Sequence, residues 1–263
     1  QAEPLGVMVP RLCNRGATCL NCVIHQSGLS VREKLEIELM KDMIHYDANI
    51  KRMVVSYPLI RETQGFTINY TQVLGRAKAL WRSLKSKGAL EAYQLRVRDY
   101  LTRGVWKETS WEEINAHKAK GEICHFVAHN GVMNPGSVST KLRIVVDSAL
   151  RNPGNNKSIN DVWPSPNTLN PLFETLVTFR SFPVACVYDL SKVFHQLHTT
   201  QREFFQRLCV WKDKEDDEWK VYGTDRVGMG DGPTTGFLDL ALNKAAEMNR
   251  ELDPKAASDM DRN

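Results

Sequence analysis

The sequence predicts an α+β protein in which a basic helical front half precedes a mixed helix-and-strand back half, with the boundary near residue 122. Three observations support this prediction. Helix-start signals recur in the front half, at Ser30, Asn69 and Ser110. After Gly121, apolar β-branched runs separated by turn residues are typical of strands. The composition, 42% hydrophobic and 25% charged over 263 residues, excludes disordered, collagen-like and disulfide-dense proteins.

Four helices are predicted in the front half, which spans residues 30–121. The first begins at the capping box Ser30–Glu33 and runs to about Met43, with an apolar residue at every fourth position (Leu35, Leu39, Met43). The second begins at a similar box, Asn69–Gln72, and ends at Lys87-Gly88. The third spans about Leu90–Leu101. Ser110 caps a short fourth helix.

The back half, residues 122–263, alternates strands, turns and helices. The predicted strands are His125–Met133, Leu142–Val146, the buried-type run Val184–Tyr188, Phe205–Trp211 and Trp219–Val227. The predicted turns are Asn134–Gly136, the acidic hairpin tip 213–218 and the tight loop Gly228–Pro233. Helices are expected from Pro171 to about Arg180 and from the tight loop to about Arg250.

Residues 1–29 are predicted to be a linker or a small metal-clipped arm. The cluster contains three thiols and an imidazole at tight spacing, a pattern compatible with tetrahedral zinc: Cys13, Cys19, Cys22 and His25. Free thiols in a flexible arm are the alternative. The other cysteines, Cys124, Cys186 and Cys209, lie singly in apolar runs, which favours buried reduced thiols and a reducing compartment.

The ends of the sequence suggest an interior segment of something longer. It begins Gln1-Ala2-Glu3-Pro4, with neither an initiator Met nor a signal-peptide profile. No apolar run approaches the roughly 20 residues that a membrane helix needs, so no membrane association is predicted.

Positive charge is concentrated between Arg76 and Lys107, although the net charge of the whole chain is only +4. This stretch carries nine Lys or Arg against Glu91 and Asp99. Such a stripe attracts polyanions and gives salt-dependent binding, whereas the alternative is a solvated helix face. The residues predicted to contact nucleic acid are Arg76, Lys78, Arg82, Lys85 and Arg96.

Three features of the back half could support chemistry at a phosphate. Asp189 ends an apolar strand, where a divalent metal would compensate its charge; capping of the next turn is the alternative. Lys141 and Arg143 share one face of a strand and could hold a phosphate chain, unless that face is simply half-exposed. The glycine-rich loop Gly228–Pro233 lets a backbone approach a ligand closely.

In combination and order, these motifs resemble the reverse transcriptase region of Bel/Pao-type long-terminal-repeat retrotransposons. The resemblance is strongest over about residues 120–250 and extends upstream to the cysteine cluster. The phrases that carry it are His125–His129 (HFVAH), Thr140–Asp147 (TKLRIVVD), Ser158–Asp161 (SIND), Phe179-Arg180, Val187–Gln196 (VYDLSKVFHQ) and Gly230–Pro233 (GDGP).

This resemblance implies the fingers and part of the palm of a right-hand, polymerase-like fold. Asp189 matches the first metal-binding aspartate, beside the Leu190 carbonyl, and Mg²⁺ is the implied cofactor. Lys141 and Arg143 match residues that contact the incoming triphosphate. Phe194 matches the bulky residue that excludes a ribose 2′-hydroxyl. The loop containing Met229 and Gly230 matches the one beneath the nascent base pair.

The implied partners are an RNA or DNA primer–template, deoxynucleoside triphosphates and the other polyprotein domains. Those domains are a protease upstream, and the rest of the palm, RNase H and integrase downstream. The implied location is intracellular, in a cytoplasmic virus-like particle or in the nucleus.

One departure from the family pattern concerns catalysis. Such polymerases need a second aspartate pair in a Tyr-x-Asp-Asp hairpin, and the sequence reaches Asn263 without one. Asp259 and Asp261 lie in a polar tail that lacks the apolar flanks of such a hairpin. The 263 residues are therefore expected not to polymerise alone. The alternative is a non-catalytic nucleic-acid-binding or interaction protein, derived from a retroelement and truncated before that motif.

Overall fold

A computed structural model describes residues 29–133, 136, 142–168, 172–181, 183–184, 186–187 and 190–255. Its helices are α1 Val31–Lys41, α2 Tyr70–Ser86, α3 Leu90–Thr102, α4 Trp111–Ala119, α5 Leu172–Arg180, α6 Gln201–Gln206 and α7 Thr234–Met248. Its strands are β1 Ile44–Asp47, β2 Arg52–Val55, β3 Lys107–Thr109, β4 Ala128–Met133, β5 Leu142–Asp147, β6 His198–Thr199, β7 Cys209–Trp211 and β8 Lys220–Gly223. The predicted α+β class is confirmed.

Three small sheets connect distant parts of the chain. The first has the order β1-β2-β6, with β2 and β6 parallel, and the second has the order β3-β8-β7. The third is the antiparallel hairpin β4-β5, in which Val132 lies opposite Arg143. Two of the three sheets thus contain strands from both sides of residue 122. The proposed domain boundary there stays a prediction.

Three apolar clusters form the core, and aromatic residues occupy their centres. The first packs Tyr57 against Trp163 and Phe237, with ring centroids 4.8 and 5.5 Å away. The second surrounds Trp211, which lies 5.2 Å from Trp81. The third joins α2 and α4 to the strand region through fully buried residues such as Ile114, Phe126 and Leu208. No helix in the described residues is long and apolar enough to cross a membrane.

Helix starts agree closely with the capping signals. Ser30 and Ser110 each form a complete capping box, with Glu33 and Glu113 respectively. The box predicted at Asn69 is wrong: its side chain makes no cap hydrogen bond. Instead, Asn69 Oδ1 accepts from Phe126 N and Asn69 Nδ2 donates to Phe126 O, both at 2.8 Å. The residue therefore joins α2 to the region that leads into β4.

The predicted apolar face of α1 is also wrong, because Leu35 and Leu39 are exposed while Glu36 and Met40 are buried. Glu36 is accommodated because its carboxylate accepts from Arg32 Nε at 2.6 Å and from Ser165 N at 2.9 Å. The buried face of α1 therefore lies one position away from its leucine repeat, and one hydrogen bond within the helix and one to Ser165 satisfy the carboxylate buried there.

Two further predictions fail between residues 180 and 200. Val184 and Val187 are more than three-quarters exposed and lie outside any strand, so the buried strand predicted there is wrong for these residues. The thiol of Cys186 is exposed, whereas Cys124 and Cys209 are buried as predicted. Burial raises the pKa of the Cys124 thiol to about 11.

Candidate functional site

The loop Gly228–Pro233 is anchored by a buried ion pair. Asp231 Oδ2 lies 2.8 Å from Arg207 Nη1, and neither side chain is more than 1% exposed. Asp231 also accepts from Tyr57 Oη at 3.2 Å, Ser148 Oγ at 2.6 Å and Gly228 N at 3.2 Å. Four donors compensate the cost of burying this carboxylate, so Asp231 anchors the loop to the interior of the protein.

The guanidinium of Arg207 uses its other donors on the surrounding backbone and side chains. Nε donates to Glu203 O at 3.2 Å, Nη1 to Arg226 O at 2.6 Å and Nη2 to Thr199 Oγ1 at 2.6 Å. Burial is the largest single effect and lowers the pKa of Arg207, but Asp231, Tyr57 and Glu203 together raise that pKa above its ordinary value. Arg207 therefore holds β6, α6 and the tight loop in one arrangement.

The same loop lies directly on strand β5 through a glycine. Gly230 has a φ of +117°, and a Cβ there would lie 2.4 Å from Val146 O, so a side chain is excluded by both conformation and space. Asn160 bridges the loop: its Nδ2 donates to Gly230 O, and its Oδ1 accepts from Gly232 N, both at 2.8 Å. Three sequence phrases, TKLRIVVD, SIND and GDGP, therefore meet at one place.

Five of the predicted nucleotide-contacting residues, Arg143, Leu190, Phe194, Met229 and Gly230, fall within the described part of the chain. Arg143 is exposed on β5, and no ion pair is found for it within the described residues. Phe194 is half-buried and packs against the core cluster that Val146 also contacts. Leu190 and Met229 are exposed. Lys141 and Asp189, and the cluster Cys13, Cys19, Cys22 and His25, lie outside the described residues.

The conspicuous histidines of HFVAH are structural. His129 Nε2 lies 3.1 Å from Val210 O, so it donates, and Nδ1 accepts from Tyr93 Oη at 2.5 Å. Burial lowers the pKa of both His125 and His129 to about 4, which keeps both rings neutral at pH 7. Across the part of the chain that the structure describes, no group of three or more His, Cys, Asp or Glu side chains could hold a metal ion.

The predicted nucleic-acid-binding cations divide into two groups. Arg76, Lys85 and Arg96 each face a carboxylate, Asp147 at 3.4 Å, Glu215 at 2.6 Å and Asp99 at 3.4 Å respectively. Lys78 and Arg82 form no ion pair among the described residues and are exposed one turn apart on α2. Two of these carboxylates, Asp147 and Glu215, come from far along the chain, and Asp99 lies in the same helix as Arg96.

Lys78 and Arg82 border a shallow cleft of about 400 Å³, which we call the tryptophan cleft. Its other lining residues are Trp81, Lys212, Trp219 and Glu215, and Glu215 is paired with Lys85 at 2.6 Å. Lys212 Nζ lies 4.9 Å from the Trp81 ring centroid and 5.4 Å from that of Trp219. Cations beside aromatic faces are typical of surfaces that bind single-stranded nucleic acid.

Sequence reasoning missed Arg207 and treated Asp231 only as part of a loop. A signal was present: Arg207 is the one charged residue between Phe204 and Trp211, in a run that is otherwise apolar except for Gln206. An arginine in such a run needs a buried counter-charge. The sequence does not indicate which of many carboxylates supplies it.

No protein-family model matches the chain, and no curated protein matches it. Among solved structures, the chain is similar to the foamy viral protease-reverse transcriptase in complex with double-stranded DNA, with a TM-score of 0.41 and 12% sequence identity. The match covers 81% of this chain and 35% of that one, so the chain spans about a third of the neighbour's length. At this TM-score the likeness carries no argument about function.

Proposed function

We propose that this chain forms the fingers and part of the palm of a Bel/Pao-type retrotransposon RNA-directed DNA polymerase, with a right-hand fold. One observation carries the proposal: GDGP lies on the β5 strand of TKLRIVVD and is bridged to SIND by Asn160. These phrases are separated by up to about 90 residues in sequence, yet together they form one junction. Arg143 is exposed on the same strand, β5, and Phe194 packs against the same core cluster as Val146.

The residues at this junction suit a nucleotide and a base pair. Arg143 offers an exposed guanidinium fork for the triphosphate, and Lys141 would add a second cation. Gly230 lets the loop backbone lie directly on β5, which would place the loop beneath a base pair. Phe194 would exclude a sugar that carries a 2′-hydroxyl. Asp189 would bind Mg²⁺, which stabilises the charge that develops during phosphoryl transfer.

Primer–template binding is proposed for the face that carries the tryptophan cleft. Lys78 and Arg82 are available for phosphates, since no carboxylate of the described residues holds them. The half-buried ring of Trp219 lies beside them and offers an edge or face for a base.

The double variant Lys78→Gln/Arg82→Gln is expected to weaken primer–template binding by about 10-fold at low salt. The plot of log K against log salt concentration should become shallower by about 2, because each phosphate contact contributes roughly one unit. Fluorescence anisotropy across a salt series measures both quantities. The matched control is Lys118→Gln/Lys120→Gln, which removes two exposed charges from the α4 region. Equal losses in both double variants would contradict the assignment of this face.

The polymerase activity is tested by following the source transcript past the codon for Asn263. We expect a Tyr-x-Asp-Asp motif about 10–20 residues further on, the length of a short hairpin with its flanking loop. A chain that includes it should extend a DNA primer only when Mg²⁺ is present. A stop codon before the motif would overturn the polymerase proposal and leave nucleic-acid binding without catalysis.

A further inference from the structure

A second cationic cavity, of about 420 Å³, is lined by residues other than those that form the junction of β5 and the tight loop. Its lining includes three arginines and two histidines, and we call it the arginine pocket: Arg52, Arg103, His195, His198 and Arg226. We propose that the arginine pocket is a phosphate-binding site. It shares no residue with the proposed triphosphate contacts, so the inference goes beyond the proposed function.

Backbone pairing brings four segments together around the pocket. Strand β2, which begins at Arg52, runs parallel to β6, and Val54 is paired with His198. His198 in turn forms an isolated bridge with Arg226. Arg103 caps the carboxyl end of α3. Cations from residues 52, 103 and 226 thus face one cavity because of the fold rather than because of any sequence cluster.

His195 contributes a donor as a neutral ring. Its Nδ1 lies 2.7 Å from Arg103 Nη2, and a guanidinium can only donate, so Nδ1 accepts and the ring proton is on Nε2. Burial, followed by the charge of Arg103, lowers the pKa of His195 to about 4. The ring therefore adds no positive charge at pH 7 but retains an N–H for an anion.

Carboxylates near the pocket only partly balance its cations. Asp99 Oδ2 is shared between Arg103 at 3.1 Å and Arg96 at 3.4 Å. Arg52 donates only to the carbonyl of Lys51, at 2.9 Å, and has no carboxylate partner among the described residues. One guanidinium of the pocket is thus wholly uncompensated, and another shares its counter-charge.

Arg226 is the strongest indication that a ligand is needed. Its Nη1 is buried without a hydrogen-bond partner, and its Nε lies 3.5 Å from Asp225 Oδ1. The other oxygen of Asp225, Oδ2, accepts from Lys107 Nζ at 2.6 Å, while Oδ1 has no hydrogen-bond partner among the described residues. Burial lowers the pKa of Arg226, the charge of Asp225 offsets only part of this effect, and the charges of Arg52 and Arg103 lower the pKa further. Leaving a charged donor buried and unpaired is costly, and an oxyanion would satisfy it.

Phosphate fits this arrangement better than a single carboxylate. It carries more charge, and its several oxygens can accept from guanidinium forks that approach from different sides. The volume falls within the range of small-ligand sites, about 300–1,000 Å³. The phosphate could belong to a free polyphosphate or to the backbone of a bound nucleic acid.

The test is calorimetric titration of the full chain with inorganic pyrophosphate at low ionic strength. We expect saturable binding that Arg52→Gln and Arg226→Gln each weaken by about 10-fold, the effect of losing one charge-assisted hydrogen bond. Arg61→Gln is the matched control, because Arg61 is exposed and does not line the pocket. Arg52 is also exposed, so its variant should fold even if Arg226→Gln does not.

A parallel titration uses a single-stranded oligonucleotide without a terminal phosphate. If Arg52→Gln weakens only this ligand, the pocket takes a backbone phosphate; if it weakens only pyrophosphate binding, the pocket takes a free phosphate chain. Either result supports the site. Binding of both ligands that responds to Arg52→Gln no more than to Arg61→Gln would overturn it. Neither titration depends on primer extension, so the outcome is independent of polymerase activity.

Discussion

Replacing Arg207 by methionine is expected to lower the free energy of unfolding by about 3–5 kcal/mol, because Asp231 would remain buried with an uncompensated charge. The ion pair is almost entirely hidden from solvent, and Asp231 is held among Tyr57, Ser148 and Gly228 rather than near water. Denaturant unfolding followed by tryptophan fluorescence measures the change as a shift of the midpoint.

The matched control is Arg98→Met. Arg98 also forms a two-pronged ion pair, with both Asp213 oxygens at 2.9 Å, but it lies on the surface. Exposed ion pairs contribute little to stability because water and salt screen them. The free energy of unfolding of Arg98→Met should therefore fall by only a small fraction of the decrease expected for Arg207→Met. Equal losses in the two variants would show that burial does not govern the Arg207–Asp231 pair.

Arg207→Met should also destabilise some parts of the structure more than others. Asp231 fixes the loop that places Gly230 on Val146 O, and Arg207 fixes the backbone at Arg226 and the side chain of Thr199. Loss of the pair should therefore loosen the tight loop before the second core around Trp211, which the pair does not contact. Hydrogen exchange at the amide of Gly232, which donates to Asn160, should rise more than exchange in β7.

Local signals in the sequence predicted most of the elements, since caps, turn residues and apolar periods act over a few residues. The helices beginning after Ser30 and Ser110 and the β4-β5 hairpin follow from such signals. Helix α6 was missed, although Thr200 and Glu203 form a capping box, because the apolar run from Phe205 favoured a strand. In the structure that strand begins only at Cys209.

Nonlocal features could not be predicted from the sequence. The Arg207–Asp231 pair, the parallel pairing of β2 with β6 and the convergence at the arginine pocket join residues 24 to about 170 positions apart. Their partners depend on how the whole chain packs, and a single sequence does not reveal this. Burial depends on packing as well: Glu36 is buried while Leu35 is exposed.

The second large effect concerns catalysis. In a chain that continues through the Tyr-x-Asp-Asp hairpin, Asp189→Ala is expected to reduce Mg²⁺-dependent primer extension by at least about 100-fold. A metal ion contributes several kcal/mol to stabilising transition-state charge, and each 1.36 kcal/mol corresponds to about a factor of ten in rate. Single-turnover extension with a labelled primer measures the loss.

A binding measurement distinguishes a metal-binding role of Asp189 from a structural role. Removing a carboxylate takes away a negative charge that repels phosphates, so the primer–template affinity of Asp189→Ala should equal or exceed that of the unaltered chain. Asp216→Ala, in the exposed turn between β7 and β8, is the matched control and should retain normal extension. Extension that survives Asp189→Ala would remove Asp189 from the metal site. Loss of both binding and extension would indicate that Asp189 has a structural role instead, as the cap of the turn that follows it.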